Sequence, residues 1–316
     1  AKRVVAWSDL VVENFSGGTM ARMGLGYNEL RRIKPDIIML STSMQGQTGP
    51  AASHPGFGMQ LTALAGYDNL VGWPDREPNR YGVYTDYIVA HCGLVAIMAA
   101  LDYRARTGKG QYLDMSQFET GVQFIAPLLL DYNVNHRIAT RQGNRCDQAV
   151  PHGAYRCRGE DRWCAIAIFT DEEWKSFCRV IGDPAWTKDH RFATFQSRKR
   201  NEDELDKLVE QWTISYLAED VMALMQAAGV AAGLVETIQD LMDNDPRLRH
   251  SHFYWEVKNP EVGIYRATRP LFLTSKSTYE VRYAPLLGEH NEHVCKEILG
   301  MSDDEIAELV IDGALE

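Results

Sequence analysis

Two short, almost wholly apolar runs separated by helical segments constrain this chain more than anything else in it. Leu10-Val11-Val12 begins a buried strand over residues 10–15. Gly17-Gly18-Thr19 then turns the chain into a helix from about Met20, a second helix covers residues 27–33, and Lys34-Pro35-Asp36 ends it. Ile37-Ile38-Met39-Leu40 begins another buried strand, over residues 37–41. Strands that are apolar on both faces, joined by helical crossovers, belong to a parallel α/β sheet. The loop from Gln45 to Pro50 leaves the second strand at its carboxyl end, where ligands collect in open sheets of this type.

The pattern continues with a helix over residues 60–66, a Pro-containing connection over 73–79, and a long apolar helix that follows Asp86 and runs to Arg106. A turn at Thr107-Gly108-Lys109-Gly110 leads to a strand over 111–115 and a helix over 117–130. After about residue 140 the character changes. Residues 143–153 form a polar loop, and 154–158 and 163–168 read as a hairpin about Gly159-Glu160-Asp161. Helices are expected over 172–181, 201–212 and 218–228, which makes a smaller α+β unit with its edge near Val257. The last segment ends in a helix over 303–310, with Ser302 as N-cap and Glu305 at capping-box spacing.

The charge balance narrows the function. A net charge of −10 and a pI near 5.4 exclude a nucleic-acid surface, which needs a basic face. An anionic ligand must then be held by local Arg, Lys and backbone N–H groups. The apolar run 88–101 is too short and too polar at its flanks to be expected to span a bilayer, and the start of the chain does not read as a signal peptide. Cys92, Cys146, Cys157, Cys164, Cys178 and Cys295 form no C-x-x-C pair, which predicts reduced thiols and a cytoplasmic protein. The chain opens at Ala1 inside what reads as a helix leading into a strand, so the N-terminal part of the domain is expected ahead of it.

Asp86, in Tyr81-Gly82-Val83-Tyr84-Thr85-Asp86, stands at the mouth of the long apolar helix. It has two readings. An aspartate ahead of a helix caps free N–H groups and meets the favourable end of the dipole. A carboxylate there can also be a nucleophile that forms a covalent acyl intermediate, with helix-start N–H groups stabilising nearby oxyanions. The segment Asn14-Phe15-Ser16-Gly17-Gly18, followed by Arg22, is either a plain strand–turn–helix junction or a phosphate-approach loop with a guanidinium beside it. Arg104, Arg106 and Lys109 read as charges complementing a helix C-terminus. His250, His252, His290 and His293 lack metal-ligand spacing, so no metal site is expected. No G-x-S-x-G elbow occurs.

These pieces fall in a specific order. Val11-Val12-Glu13-Asn14-Phe15 with Gly18, Met23-Gly24-Leu25 with Tyr27, and Pro35-Asp36-Ile37-Ile38 come first. Gln45-Gly46-Gln47-Thr48-Gly49-Pro50, Asp86 and Arg106-Thr107-Gly108-Lys109-Gly110-Gln111 follow. Ala227-Ala228-Gly229-Val230-Ala231-Ala232-Gly233, Asp245-Pro246 and Pro285-Leu286-Leu287-Gly288-Glu289-His290 complete the series. In that order the chain resembles, over nearly its whole length, the class III CoA-transferases, the family of formyl-CoA transferase and carnitine CoA-transferase. The resemblance implies an α/β fold: a Rossmann-like large domain with a parallel sheet, from residues 1–140 and 260–316, and a smaller α+β domain over 141–259. It implies interlocked homodimers, a heteromer being the other arrangement, and a segment ahead of Ala1 holding the first β-α unit and part of the CoA site. No cofactor is bound permanently; a coenzyme A thioester is a substrate, with an acyl-CoA donor and a carboxylic acid acceptor as partners.

By that resemblance Asp86 falls on the catalytic aspartate, and Asn14, Phe15, Ser16 and Arg22 on the CoA-contacting turn. His54, Gly56 and Phe57 fall on a second CoA-contacting stretch, where Pro55 replaces the lysine of formyl-CoA transferases. The glycine-rich lid of those enzymes corresponds to residues 143–153, which are not a glycine run. This argues against formyl-CoA and oxalate and toward a larger acid, dicarboxylic or aromatic. Within that loop Gly143, Asn144, Arg145 and His152 are the candidate substrate contacts, Arg145 or His152 for a second carboxylate. An α-methylacyl-CoA racemase is the alternative within the superfamily. Its proton-transferring histidine falls at Phe57, which moves no proton, and His54 is three residues away. A non-catalytic partner subunit of a heteromeric transferase is the second alternative.

Overall fold

The computed structural model describes residues 1–315. By internal contacts the chain divides into two units, residues 1–143 with the segment from Leu286 onward, and Asn144–Pro285.

In the first unit α1 (Lys2–Trp7) leads into β1 (Leu10–Glu13), and the short helices α2 (Thr19–Arg22) and α3 (Tyr27–Ile33) return the chain to β2 (Ile38–Ser41). All four residues of β2 are buried, as a strand covered on both faces must be. β1 pairs with it in parallel from Leu10↔Ile38 to Glu13↔Ser41, and β3 (Tyr112–Asp114) pairs in parallel on its other edge from Met39↔Tyr112 to Ser41↔Asp114. The parallel sheet read from the two apolar runs is therefore present, with β2 at its centre. Entry into β3 requires a glycine: a Cβ on Gly110 would lie 2.1 Å from the carbonyl oxygen of Ile37.

Between β2 and β3 run α4 (Gly58–Leu64), α5 (Tyr67–Leu70) and α6 (Tyr84–Thr107). At 1.5 Å per residue, the 24 residues of α6 extend about 36 Å. By length and composition α6 is long and apolar enough to cross a membrane, which corrects the expectation that the run was too short. The helix extends beyond the apolar run at both ends, so an 18-residue window escapes most of the flanking charge. In the fold α6 packs against β2, α4 and α7 and buries Ile88, Val89, Gly93 and Ala100. Its other side leaves Tyr87, Leu94, Val95 and Met98 exposed.

One helix was expected over 117–130; two form, α7 (Gln117–Phe124) and α8 (Ala126–Asn135). The break at Ile125 follows from Pro127, in the first turn of α8, which lacks an N–H and crowds the carbonyl four residues back.

The second unit is built on the expected hairpin. β4 (His152–Arg156) pairs antiparallel with β5 (Trp163–Ala167). Helices α9 (Asp171–Val180), α10 (Phe195–Arg200), α11 (Glu202–Thr213) and α12 (Ala218–Ala227) follow, and β6 (Ala231–Leu234) then adds to the free edge of β5. Trp174 and Phe177 of α9, Leu205 and Val209 of α11, and Val221 and Met225 of α12 join Tyr155 and Ile166 in one core. Arg198 is 1 % exposed, yet its charge is met: it donates to Asp171 Oδ1 at 2.6 Å and lies 4.8 Å from the Trp174 ring centroid.

After this core comes α13 (Pro246–His250), capped by Asp245, whose Oδ1 accepts from the Arg247 and Leu248 amides. A second hairpin, β7 (Tyr254–Asn259) with β8 (Gly263–Thr268), follows. Its strands lie on both sides of position 260, where the sequence placed a boundary; the division by contacts comes at Pro285. The chain ends its described course in α14 (Asp303–Ile311), where Ser302 and Glu305 form the expected capping box.

Candidate active site

The carboxyl ends of β1, β2 and β3 open into three connections that converge on each other. After β1, the Phe15 amide donates to Glu13 Oε2 at 2.8 Å, and the Ser16 and Thr19 hydroxyls lie 3.1 Å apart. Arg22 donates to Thr19 Oγ1 at 2.8 Å and reaches the Gly17 carbonyl at 3.4 Å. Asn14, Phe15, Ser16 and Arg22 are all exposed, on a turn whose backbone is held from below. The holding group is Gln47: its Oε1 accepts from the Gly18 amide at 3.0 Å, its amide donates to Asp114 Oδ1, and its Nε2 reaches Glu13 Oε1. One residue from the loop after β2, through its side chain to Glu13 and Gly18 and its backbone N–H to Asp114, thus ties together the ends of β1 and β3.

The stretch from His54 to Phe57 lies just before α4. The Phe57 amide donates to Gln60 Oε1 at 2.8 Å, and the ring of Phe57 is 78 % exposed. His54 is exposed as well, while Gly56 sits under Met44 and Gln60, where a Cβ would come within 2.6 Å of both.

Asp86 lies above the start of α4. A Cβ built on Gly58 would fall 2.2–2.4 Å from the carboxyl atoms of Asp86, so the carboxylate rests directly on a bare Cα. The helix begins at Tyr84 with Val83 as N-cap, which puts Asp86 inside the first turn and not at the cap. Its side chain makes no capping bond; it accepts one from the side-chain amide of Gln117, the first residue of α7. Gln117 also donates to Thr85 Oγ1 at 3.3 Å, and Thr62 Oγ1 donates to the Gly58 carbonyl at 2.8 Å. Thr62 and Thr85 are fully buried and Gln117 nearly so, whereas Asp86 is exposed. The start of α6 is braced from the other side by Tyr67, Tyr81 and Tyr84, with ring centroids 5.2–5.9 Å apart, and by the Tyr67 hydroxyl donating to the Gly121 carbonyl. An accessible carboxylate is therefore held by one nearly buried neutral donor, with no lysine or arginine paired to it among the described residues.

The loop residues divide between the two units. Gly143 belongs to the first unit, where its amide donates to the Gly72 carbonyl and its α-carbon lies against the Trp73 ring. Asn144, Arg145 and His152 belong to the second unit. Arg145 pairs with Asp203 and lies within 4.0 Å of Glu202 and Asp206; hydrogen bonding to Asp203 holds its proton more tightly than usual. His152 Nδ1 lies 2.5 Å from the Asn144 carbonyl oxygen. Arg145 is thus already engaged with three carboxylates of α11.

No group of three or more His, Cys, Asp or Glu side chains is placed to hold a metal ion among the described residues. The cysteines are free thiols, and burial pushes Cys164 up to about 12 and Cys178 up to about 11, far from thiolate character at neutral pH. Gln117, Gly58 and Thr62 were not singled out in the sequence, and Gln47 and Thr85 stood there only within longer motifs. Gln117 carries a usable signal, since it follows β3 at a sheet edge where ligands gather. Gly58 carries none, because one glycine before an apolar helix has many explanations.

The model for "CoA-transferase family III" matches residues 1–291. The chain is 31% identical over 310 residues to a succinyl-CoA–D-citramalate CoA-transferase of Chloroflexus aurantiacus, covering 98% of this chain and 77% of that protein. It is 28% identical over 317 residues to the succinyl-CoA:glutarate CoA-transferase of Homo sapiens, covering 100% of this chain and 72% of that one. Among solved structures, a CAIB/BAIF family protein from Brucella suis superposes with a TM-score of 0.86 at 29% identity, over 94% of this chain and 77% of that chain.

Proposed function

The chain belongs to CoA-transferase family III, and on that premise we propose that Asp86 is the covalent carrier of a transfer from succinyl-CoA to a second small dicarboxylic acid. Enzymes of this class take a CoA thioester as donor and a carboxylic acid as acceptor. The observation that carries the reading is the exposed Asp86 carboxylate, seated on Gly58 and hydrogen-bonded by a neutral amide. A carboxylate tied to a cation would be a weaker nucleophile; this one is oriented without being neutralised.

Asp86 Oδ2 attacks the donor thioester carbonyl and expels CoA thiolate, leaving an acyl-aspartyl anhydride. The thiolate attacks Cγ of Asp86 and expels the donor acid as its carboxylate, giving an aspartyl-CoA thioester. The acceptor carboxylate attacks the same Cγ and expels the thiolate. The thiolate then attacks the acceptor's acyl carbon, releasing acyl-CoA and the Asp86 carboxylate. Every intermediate keeps an activated acyl bond, so no nucleotide is consumed.

The choice of acids is supported by the two relatives named above, whose names pair succinyl-CoA with a dicarboxylic acceptor. The CoA itself is assigned to the exposed turn of Asn14, Phe15, Ser16 and Arg22, with His54, Gly56 and Phe57 on the neighbouring connection. The apolar stripe of Tyr87, Leu94, Val95 and Met98 on α6 supports association of a Rossmann-like large domain into an interlocked dimer. Relatives from Chloroflexus aurantiacus named as α and β subunits of a succinyl-CoA–L-malate CoA-transferase leave a heteromer as the competing assembly. Free thiols support a reduced, cytoplasmic setting.

The test is to incubate the protein with succinyl-CoA, quench with hydroxylamine or borohydride, and map the modified residue by mass spectrometry. Modification at Asp86 is expected; modification only at another residue ends this assignment.

A further inference from the structure

The two oxygens of Asp86 are not equivalent. Gln117 donates to Oδ1, and among the described residues Oδ2 has no donor. In the reaction proposed above, on which this inference rests, their fates also differ. Oδ2 forms the bond to the donor's acyl carbon and departs with the donor acid when thiolate attacks Cγ. Oδ1 stays on Cγ throughout. It takes the electron pair as an oxyanion when the thiolate adds to the anhydride, returns it as the carboxylate leaves, and takes it again when the acceptor carboxylate adds to the thioester.

We propose that the side-chain amide of Gln117 is the oxyanion donor for both steps in which Asp86 Cγ is attacked. The donor is in place before charge develops, which is what makes such a group effective. Its placement is fixed from three directions. The Gln117 backbone amide donates to the Ser43 carbonyl at 3.0 Å, Ser116 caps the helix by accepting from the Glu119 amide at 3.1 Å, and Nε2 also donates to Thr85 Oγ1. Thr85 is itself fully buried and lies 3.4 Å from Thr62 Oγ1. Gln117 cannot swing away to solvent, being 9 % exposed. The same bond selects Oδ2 as the attacking atom in the first step, since Oδ1 has a lone pair committed.

Gln117→Met keeps length and apolar volume and removes the donor. The expected result is a fall in kcat of roughly 10²- to 10³-fold, the loss typical for one oxyanion donor, with the KM for the acyl-CoA donor changed less than about threefold. When wild type and variant are mixed with succinyl-CoA and quenched within one turnover, the variant accumulates Asp86-bound acyl adduct, because its resolution is slowed. Gln117→Glu supplies the pH readout. At neutral pH it faces one carboxylate with another; as pH falls its carboxylic acid regains a donor, so its activity relative to wild type rises with acidity. Thermal melts of both variants establish that they fold. A kcat within threefold of wild type in Gln117→Met, or a Gln117→Glu profile parallel to wild type, overturns the proposal while an adduct on Asp86 leaves the carrier assignment standing. An adduct that forms elsewhere in the wild type overturns both.

Discussion

The unit over 144–285 gathers seventeen buried side chains, from Val150 to Val230, into one continuous cluster. In the unit that holds Asp86, the corresponding cluster is four residues, Val5, Leu30, Ile37 and Met39, under a three-stranded sheet. The first unit also leaves large apolar side chains in the open: Val95 is 70 % exposed on α6, Leu130 and Val134 on α8 are similarly bare. One unit is built on a single large apolar cluster. The other spends its order on polar side chains that fix one carboxylate, and presents apolar surface that its own elements do not cover. Burial of apolar area is the main stabilising term in folding, so stability should be concentrated in the second unit and chemistry in the first.

That contrast can be broken by experiment. Asp86→Ala should lower kcat by on the order of a thousandfold or more with no change in melting behaviour, measured by turnover and calorimetry; retained activity would remove the site from the first unit altogether. Phe177→Ala should cost about 3–5 kcal/mol in chemical denaturation, since Phe177 is fully buried in the large cluster. Gly58→Ala tests the seat of the carboxylate. The added methyl must displace Asp86, and a shift of about 1 Å costs on the order of a hundredfold in rate, with little loss of stability; equal losses of both would mean that Gly58 is a packing residue only.

Acid should weaken paired carboxyls, several of them in the second unit. The Arg247 guanidinium holds Asp245 well below the usual carboxylate range, and Arg191 holds Asp189 down at about 2. Carboxyls with lowered values stabilise the folded form above the ordinary carboxylate range and lose that contribution as pH falls from about 4 toward 2. Asp206 works the other way: burial raises it, so its contribution is present in acid and is lost as pH rises through its folded value. Because these carboxyls are screened by solvent, far-ultraviolet dichroism against pH should show only a small loss of helix below about pH 4. The smallest effect is expected at Val95→Ala, within about 0.5 kcal/mol for an exposed site. A larger loss that depends on protein concentration would show that α6 is covered by another chain.

How much of this the sequence discloses depends on the range of the interaction. The parallel sheet is legible because Leu10–Val12 and Ile37–Leu40 are apolar without alternation, a local property. The capping box of Ser302 and Glu305 and the hairpin of β4 and β5 are local too, and appear where expected. Asp86 is legible as a candidate from its place before an apolar helix, but its role as a cap is not realised, because the helix starts two residues earlier at Tyr84. What was hidden is non-local. Gln117 reaches Asp86 across 31 positions, and Gly58 meets it across the turn of another helix; neither pairing leaves a periodic trace. The strand β6 and the hairpin β7–β8 were missed for a related reason. Ala231-Ala232-Gly233-Leu234 has little intrinsic strand character and is a strand because β5 offers it an edge.

The bare Cα beneath Asp86 has a consequence for traffic. In the reaction proposed above, with the Gly58 backbone against the carboxylate and Gln117 on one oxygen, thioester, thiolate and acceptor acid would share the approach to Asp86 that remains. Reactants that share one approach would have to use it in turn, so the proposed reaction would be ordered by that shared access, with no moving part required.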